Sequence, residues 1–193
     1  MKRLSYKSYS DEELMSFAKD GDRNAFEEIY ERYSAKLRAF FQRALWHDKE
    51  LAEDLTQELY MKVIKNLKKY NPKRSFKTWL YSMANNMCKN QYRHREVRER
   101  AGEELKQATV IKMHQGESKI DRKIFKEELE KALDNLDFKK RTCFILRFKH
   151  ELSISEIAQI ENCSEGTIKS RLYYTLRSLA ETLQPFNPKQ NHG

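Results

Sequence analysis

Apolar side chains recur every three or four residues along much of this chain, which is the spacing of one buried face of an α-helix. The clearest run comprises Phe26, Ile29, Tyr30, Tyr33, Leu37, Phe40, Phe41 and Leu45. Only five Gly and three Pro occur among 193 residues, which is few for a protein built from strands or long loops. The sequence therefore predicts an all-α fold.

Helix start and stop signals divide the chain into two helical regions. Residues 10–13, Ser-Asp-Glu-Glu, have the spacing of a capping box and predict a first helix from Asp11. The apolar run above predicts a second helix, Asn71-Pro72 ends a third, and a fourth extends from Phe76 to about Arg95. We predict four segments: a helical domain at 1–97, a linker at 98–121, a second helical domain at 122–186 and a tail at 187–193.

The charge of the chain favours an anionic partner. Lys and Arg exceed Asp and Glu by 38 to 29, and the formal net charge is +9. Basic residues crowd positions 62–100, where Glu96 and Glu99 are the only acidic ones. The aromatic residues Trp79, Tyr81 and Tyr92 alternate with these cations. Taken by itself, the charge could belong to an ordinary solvated helix face. The aromatic residues among the cations favour instead a surface on which unpaired nucleic-acid bases stack.

Several other classes of function lack a signal in the sequence. No apolar run approaches the roughly 20 residues that span a bilayer, and residues 1–10 resemble no signal peptide, so a cytoplasmic location is expected. Three Cys without a CxxC pair and five His without metal-like spacing predict no metal and no cofactor. We expect the three Cys to be buried, and His150-Glu151 to lie on the surface. We find no catalytic residue and expect no enzyme and no small-molecule substrate.

A pair of short helices is predicted near the end of the chain. Residues 153–156, Ser-Ile-Ser-Glu, form another capping box, and the helix that follows buries Ile154, Ile157, Ala158 and Ile160. Asn162 occupies the bend, where a left-handed residue is needed, and Ser164 can cap the next helix. The arrangement is that of a helix-turn-helix unit.

The second helix of this unit presents a polar surface suited to duplex DNA. Its predicted buried side comprises Ile168, Leu172, Leu176 and Leu179. Its outward side comprises Gly166, Thr167, Ser170, Tyr173, Tyr174 and Arg177, with Lys169 and Arg171 on the flanks. Hydroxyl, aromatic and cationic groups at a helix N-terminus suit the major groove, where they reach base edges and phosphates. The other interpretation is an ordinary helical hairpin with a hydrated outer face.

Four stretches in order resemble the extracytoplasmic-function sigma factors, which are small two-domain members of the sigma-70 family. They are GDRNAFEEIYERY at 21–33, AEDLTQELYMKVIKN at 52–66, FKTWLYSMANNMCKNQYR at 76–93 and EIAQIENCSEGTIKSRL at 156–172. The resemblance covers most of the chain. It implies a dissociable promoter-specificity subunit of bacterial RNA polymerase with two helical domains, similar to sigma regions 2 and 4.

The resemblance also implies roles for matched positions. The residues expected to dock on core polymerase are Asp54, Gln57, Glu58 and Met61. Those expected to capture the non-template strand of the minus-10 element are Lys77, Trp79, Tyr81, Asn86, Asn90 and Arg93. Those expected to read the minus-35 element as duplex are Ser164, Gly166, Thr167, Lys169, Ser170, Arg171, Tyr173, Tyr174 and Arg177.

The partners implied by the resemblance are core RNA polymerase, through its clamp helices and flap, and promoter DNA. Members of this family are commonly held inactive by an anti-sigma factor, often membrane-bound, so the chain is expected at the nucleoid or, when inhibited, at the inner membrane. A stand-alone helix-turn-helix regulator remains the alternative. It would explain the C-terminal unit but not the cationic, aromatic helix at 76–93.

Overall fold

The computed structural model describes residues 6–102 and 120–186, with side chains from Ile124 onward in the second range, and the fold is all-α as predicted. The α-helices of these ranges are α1 (Asp11–Lys19), α2 (Arg23–Ala44), α3 (Lys49–Asn66), α4 (Phe76–Arg100), α5 (Ile120–Asp134), α6 (Phe138–Phe148), α7 (Ile154–Glu161) and α8 (Glu165–Leu183). Helices α1–α4 belong to one compact unit, and α5, α6, α8 and residues 154–158 of α7 belong to a second. Within the described ranges no helix is long and apolar enough to cross a membrane.

The capping signals in the sequence set the helix starts. The Ser10 hydroxyl accepts the Glu13 N–H while the Glu13 carboxylate accepts the Ser10 N–H, which confirms the first capping box. The Ser153 capping box is confirmed by the same pair of bonds with Glu156. Asn162 has a φ of 53° between α7 and α8, so the predicted left-handed bend is also confirmed.

The core of the N-terminal unit is built around α2, which packs against α1, α3 and α4. Its fully buried side chains include Ile29, Leu37, Phe40 and Phe41. The Phe40 ring meets the Tyr81 ring of α4 edge-on, with centroids 5.5 Å apart. This packing fixes which side of α4 faces the core.

The C-terminal unit has a smaller core, in which α8 packs against α5 and α6. Its central cluster comprises Ala132, Leu133, Phe144, Leu179 and Leu183. On α8, Thr175 is fully buried whereas Leu176 is 43% exposed, so the predicted burial of Leu176 is wrong. The buried residues follow the steps 168, 172, 175, 179 and 183, and Leu176 lies beside that line.

Other boundaries and burials differ in detail. Helix α4 continues past its predicted end to Arg100, and residues 103–119 of the predicted linker, like the predicted tail, lie outside the described residues. Cys88 and Cys143 are buried as expected, whereas Cys163 is half-buried. His150 is buried rather than on the surface, which corrects that expectation, and Glu151 is exposed.

Candidate nucleic-acid interface

One exposed face of α4 carries four of the six residues that were assigned to unpaired DNA. At about 100° per residue, Trp79, Asn86, Asn90 and Arg93 fall within an arc of roughly 60°. Asn86, Asn90 and Arg93 are exposed, and Trp79 is half-buried. We call these four residues the α4 face. It combines one aromatic ring, two amides and one guanidinium, which are groups that stack on bases and form hydrogen bonds with them.

Two aromatic residues support Trp79 from below. The Trp79 ring lies 5.0 Å from the Tyr70 ring and 6.0 Å from the Phe76 ring, measured between centroids. Tyr70 and Phe76 are buried, and their own centroids are 5.8 Å apart. We call Tyr70, Phe76 and Trp79 the aromatic trio. Because two of its members belong to the core, the Trp79 ring is held in place while part of it remains accessible.

Tyr81 corrects the sequence-based assignment. It is fully buried, and burial raises the pKa of its phenol well above the ordinary value. It therefore belongs to the core of the N-terminal unit and offers no surface to a base. Lys77 is half-buried. Lys77 and Tyr81 are each two residues from Trp79, and two residues turn a helix by about 200°, so both lie on the side of α4 away from Trp79.

The loop that precedes α4 adds two cations that the assignment omitted. Lys73 and Arg74 are exposed beside the aromatic trio. Hydrogen bonds within the loop order it. The Tyr70 hydroxyl donates to the Arg74 carbonyl at 2.7 Å, and the Lys73 N–H donates to the Asn71 side-chain oxygen at 3.0 Å. The signal for these residues was present in the sequence, because they belong to the basic stretch that leads to Trp79.

The outward residues of α8 form a second polar face. Gly166, Ser170, Tyr173 and Arg177 are exposed and fall within an arc of about 60° at helical spacing. We call these four residues the α8 face. The remaining assigned residues lie beside it: Ser164 as the N-cap, Thr167 and Tyr174 on one side, and Lys169 on the other. Arg171 is half-buried and lies farther round the helix, toward the core.

Local bonds organise α8 at both ends of this face. The Ser164 hydroxyl accepts the Thr167 N–H at 3.1 Å, which confirms the predicted cap. The Arg177 guanidinium donates to the Glu181 carboxylate at 3.0 Å, and this bond raises the pKa of Arg177. A Cβ added to Gly166 would meet only the Ser164 hydroxyl, at an ordinary contact distance of 3.7 Å. Packing inside the protein therefore does not require glycine at this position.

A third face, on α3, groups the residues assigned to polymerase docking. Asp54, Gln57, Glu58 and Met61 are all exposed on one side of the helix, and we call them the α3 face. Met61 is 56% exposed, and Ile64 on the next turn is 55% exposed. The sequence pattern did not single out Ile64. Exposed carboxylates beside exposed apolar side chains are typical of a protein-binding surface.

Metal chemistry has no candidate in the part of the chain that the structure describes. No group of three or more His, Cys, Asp or Glu side chains there could hold a metal ion. The three faces offer surfaces for binding and no arrangement of a nucleophile with a base.

Two family models match the chain in the same order as its two units. Sigma-70 region 2 matches residues 29–98, and Sigma-70 region 4 matches residues 126–179. The chain belongs to the sigma-70 family. The α3 and α4 faces of this sigma factor lie within the region 2 match, and the α8 face lies within the region 4 match.

Curated relatives place this sigma factor in the extracytoplasmic-function (ECF) group. It is 27% identical over 185 residues to the RNA polymerase sigma-H factor of Pseudomonas aeruginosa, covering 91% of this chain and 94% of that one. It is 28% identical over 174 residues to the ECF RNA polymerase sigma factor SigW of Bacillus subtilis, covering 86% and 92%. Among solved structures it resembles the Bartonella quintana sigma factor RpoE, crystallised with the anti-sigma factor NepR. That match has a TM-score of 0.68 and 27% identity, over 82% of this chain and 96% of that chain.

The family membership gives the function at the level of the whole chain. A sigma factor is the subunit that confers promoter specificity on bacterial RNA polymerase, and this chain is such a subunit.

Proposed function

We propose that this sigma factor divides promoter recognition among its three faces. The α3 face docks on core polymerase, the α4 face captures the unpaired non-template strand of the minus-10 element, and the α8 face reads the minus-35 element as duplex. The domain at 1–97 then holds the first two activities, the domain at 122–186 holds the third, and the segment at 98–121 connects them. One observation carries the proposal. The part-exposed Trp79 ring packs on buried aromatic rings and lies on the same side of α4 as Asn86, Asn90 and Arg93.

Strand capture needs groups that compensate the cost of opening the duplex. Each base removed from the stack costs a few kcal/mol, and stacking on an aromatic side chain returns about 1–3 kcal/mol per base. The Trp79 ring is the stacking surface of the α4 face, and the Asn86 and Asn90 amides can donate to and accept from base edges. Arg93, together with Lys73 and Arg74 of the loop, supplies charge for the phosphates.

Duplex reading by the α8 face follows from its shape and charge. An exposed helix with small and hydroxyl side chains at its N-terminus can enter the major groove deeply. Ser170 and Thr167 can bond to base edges there, while Lys169 and Arg177 can neutralise phosphates. Tyr173 and Tyr174 are 61% and 60% exposed, so both rings are accessible to bases or sugars.

Docking of the α3 face on the clamp helices of the largest polymerase subunit is supported by its chemistry. Its carboxylates can pair with cations on a partner, and Met61 and Ile64 offer apolar area for burial. We further propose that the C-terminal domain contacts the flap of core polymerase. The subunit then works without catalysis of its own, in the cytoplasm and at the nucleoid.

An anti-sigma factor is the proposed regulator of this chain. The Bartonella quintana sigma factor RpoE was crystallised with the anti-sigma factor NepR, and its likeness to this chain supports a partner of the same class. Such a partner would cover the surfaces that bind polymerase, and a membrane-bound one would hold this subunit at the inner membrane.

The proposal is tested by adding the purified chain to core polymerase and sequencing the 5′ ends of the RNA made from genomic DNA. We expect specific initiation sites that share an upstream and a downstream element at constant spacing. Absence of core binding would overturn the proposal. Specific binding to duplex DNA without core polymerase would instead favour the stand-alone regulator.

A further inference from the structure

Helix α1 contacts both ends of the loop that joins Tyr70 to the start of α4 at Phe76. The Lys19 ammonium donates to the Tyr70 carbonyl at 3.4 Å, and the Glu12 carboxylate accepts the Phe76 N–H at 2.8 Å. Glu12 and Lys19 are two helical turns apart and therefore lie on the same side of α1. One helix thus contacts the residue where the loop begins and the residue where α4 begins.

The bond to Glu12 has a specific place in α4. The Phe76 N–H is the first of the helix, which has no partner within the helix itself. The Ser75 hydroxyl caps the helix by accepting the Thr78 N–H at 3.2 Å, so Glu12 and Ser75 satisfy different donors of the same turn. A carboxylate at this position is also favoured by the helix dipole. Glu12 therefore sets where α4 starts, three residues before Trp79.

Helix α1 is itself firmly anchored. The Arg32 guanidinium of α2 donates to the Asp11 carboxylate at 2.8 Å and to the Glu28 carboxylate at 2.8 Å. The same guanidinium donates to the Tyr9 carbonyl at 2.9 Å, just before α1. The Tyr33 hydroxyl donates to Asp11 as well. Glu12 follows Asp11 directly in the chain, so the backbone that carries the Glu12 carboxylate is held in place by the contacts of Asp11.

The position of the Trp79 ring depends on these contacts through its neighbours. Tyr70 and Phe76 are the two residues held by α1, and they are also the two rings on which Trp79 packs. The Glu12 carboxylate lies close enough to Tyr70 to contribute, after burial, to the raised pKa of its phenol. A shift of either loop end would therefore move the support of the Trp79 ring.

We propose that Glu12 and Lys19 are positioning residues for strand capture: they touch no DNA but fix the loop ends so that the Trp79 ring stands ready for an unpaired base. The inference rests on the proposed role of the α4 face. A ring that is held in place before binding loses less conformational freedom when a base stacks on it.

The test uses holoenzyme reconstituted with the full chain on a promoter identified from its RNA ends. Three properties are measured: core binding, closed-complex affinity at low temperature, and promoter opening from the permanganate reactivity of minus-10 thymines. The proteins compared are wild type, Glu12→Ala, Glu12→Gln, Lys19→Met and Trp79→Ala. Loss of a hydrogen bond to a charged acceptor predicts that Glu12→Ala lowers opening on the order of tenfold. Core binding and closed-complex affinity should remain unchanged. Glu12→Gln should recover much of the loss, because its amide oxygen can still accept the Phe76 N–H, and Lys19→Met should show a smaller defect.

The control is Glu31→Ala, which removes an exposed carboxylate from α2 and should leave all three readouts unchanged. If Trp79→Ala opens the promoter as well as wild type, the proposed role of the α4 face fails. If Trp79→Ala impairs opening but Glu12→Ala stays within about twofold of wild type, the positioning inference is overturned while the α4 face stands. Equal loss of core binding and of promoter opening in both Glu12 variants would show that Glu12 acts only on the stability of the fold. That result would also overturn the positioning inference.

Discussion

Gly166 shows how a single residue can separate stability from recognition. Glycine in a helix costs up to about 1 kcal/mol relative to alanine, yet nothing inside the protein occupies the space that a Cβ would fill. The position lies on the α8 face, so we interpret the missing side chain as room for close approach of DNA.

We predict that Gly166→Ala stabilises the C-terminal unit by up to about 1 kcal/mol and weakens binding of the holoenzyme to its minus-35 element. Denaturant unfolding measures the first effect, and competition with promoter fragments measures the second. Ser178→Ala is the matched control: it also replaces an exposed residue of α8 by a better helix former, but Ser178 lies off the α8 face. Unchanged or tighter promoter binding by Gly166→Ala would contradict the assignment.

Trp79→Ala removes the stacking surface of the α4 face. We expect it to lower the open-complex fraction at equilibrium by the equivalent of about 1–3 kcal/mol, with closed-complex affinity unchanged. Permanganate reactivity against temperature measures the opening, and a gel shift at low temperature measures the closed complex. A similar loss in both steps would show that Trp79 acts on duplex DNA or on the fold.

The aromatic residues also show what the sequence could and could not predict. Trp79 and Tyr81 are two residues apart, so they lie about 200° apart around α4 and only one of them can face outward. Helical spacing alone predicts that division. It cannot predict which of the two is buried, because that depends on the contact between Tyr81 and Phe40 of α2. The same reasoning applies to Thr175 and Leu176, whose burial is decided by how α8 meets α5 and α6.

At the level of elements, the first turn of α2 predicts an acid-sensitive contribution to stability. Asp22 caps this helix, and its pKa is lowered from the ordinary 3.8, chiefly by the hydrogen bond from the Tyr6 hydroxyl at 2.8 Å. Partial burial opposes that effect, and the N–H groups of Ala25 and Asn24 add to it. A carboxylate whose pKa is lowered in the folded state stabilises the fold above its unfolded pKa and loses that contribution as pH falls through the folded pKa.

We therefore predict that Asp22→Asn unfolds at a lower temperature than wild type from pH 7 down to about pH 5. The difference should shrink as pH falls from the ordinary pKa of 3.8 through the lowered pKa of the folded protein, where the carboxyl of folded wild type becomes protonated as well. Thermal unfolding by circular dichroism across this range measures it. Tyr6→Phe removes only the hydroxyl that donates to Asp22. In that background, Asp22→Asn should lower the unfolding temperature by less than it does in wild type. A difference that widens as pH falls would contradict the linkage.

Helix starts were easier to predict than the contacts between helices. Ser10, Ser153 and Ser164 each act through a residue three positions ahead, so a short stretch of sequence contains the whole motif. The bond between Glu12 and Phe76 joins residues 64 positions apart, and no local pattern marks it. The α3, α4 and α8 faces were largely predictable because each belongs to one helix, whereas the support beneath Trp79 requires the tertiary fold.

Over the whole molecule, the net charge of +9 predicts promoter binding that weakens steeply with salt. Arg93→Ala should reduce the slope of log affinity against log salt concentration by about one unit, because one phosphate contact is lost. Lys126→Ala removes the same charge from an exposed position of α5 outside the three faces, and should leave the slope unchanged. Equal slopes for Arg93→Ala and wild type would remove Arg93 from the DNA contact.

The two tryptophans of the chain both belong to the N-terminal unit, so tryptophan fluorescence reports on that unit alone. The Trp46 ring contacts two partners: the Arg95 guanidinium lies 4.4 Å from its centroid, and the centroid of the tilted Tyr92 ring lies 4.9 Å away. Trp79 is half-buried, and a base that stacks on it should quench its emission while leaving that of Trp46 unchanged. The wild-type protein thus carries a built-in optical probe of strand capture, with an internal reference on the same domain.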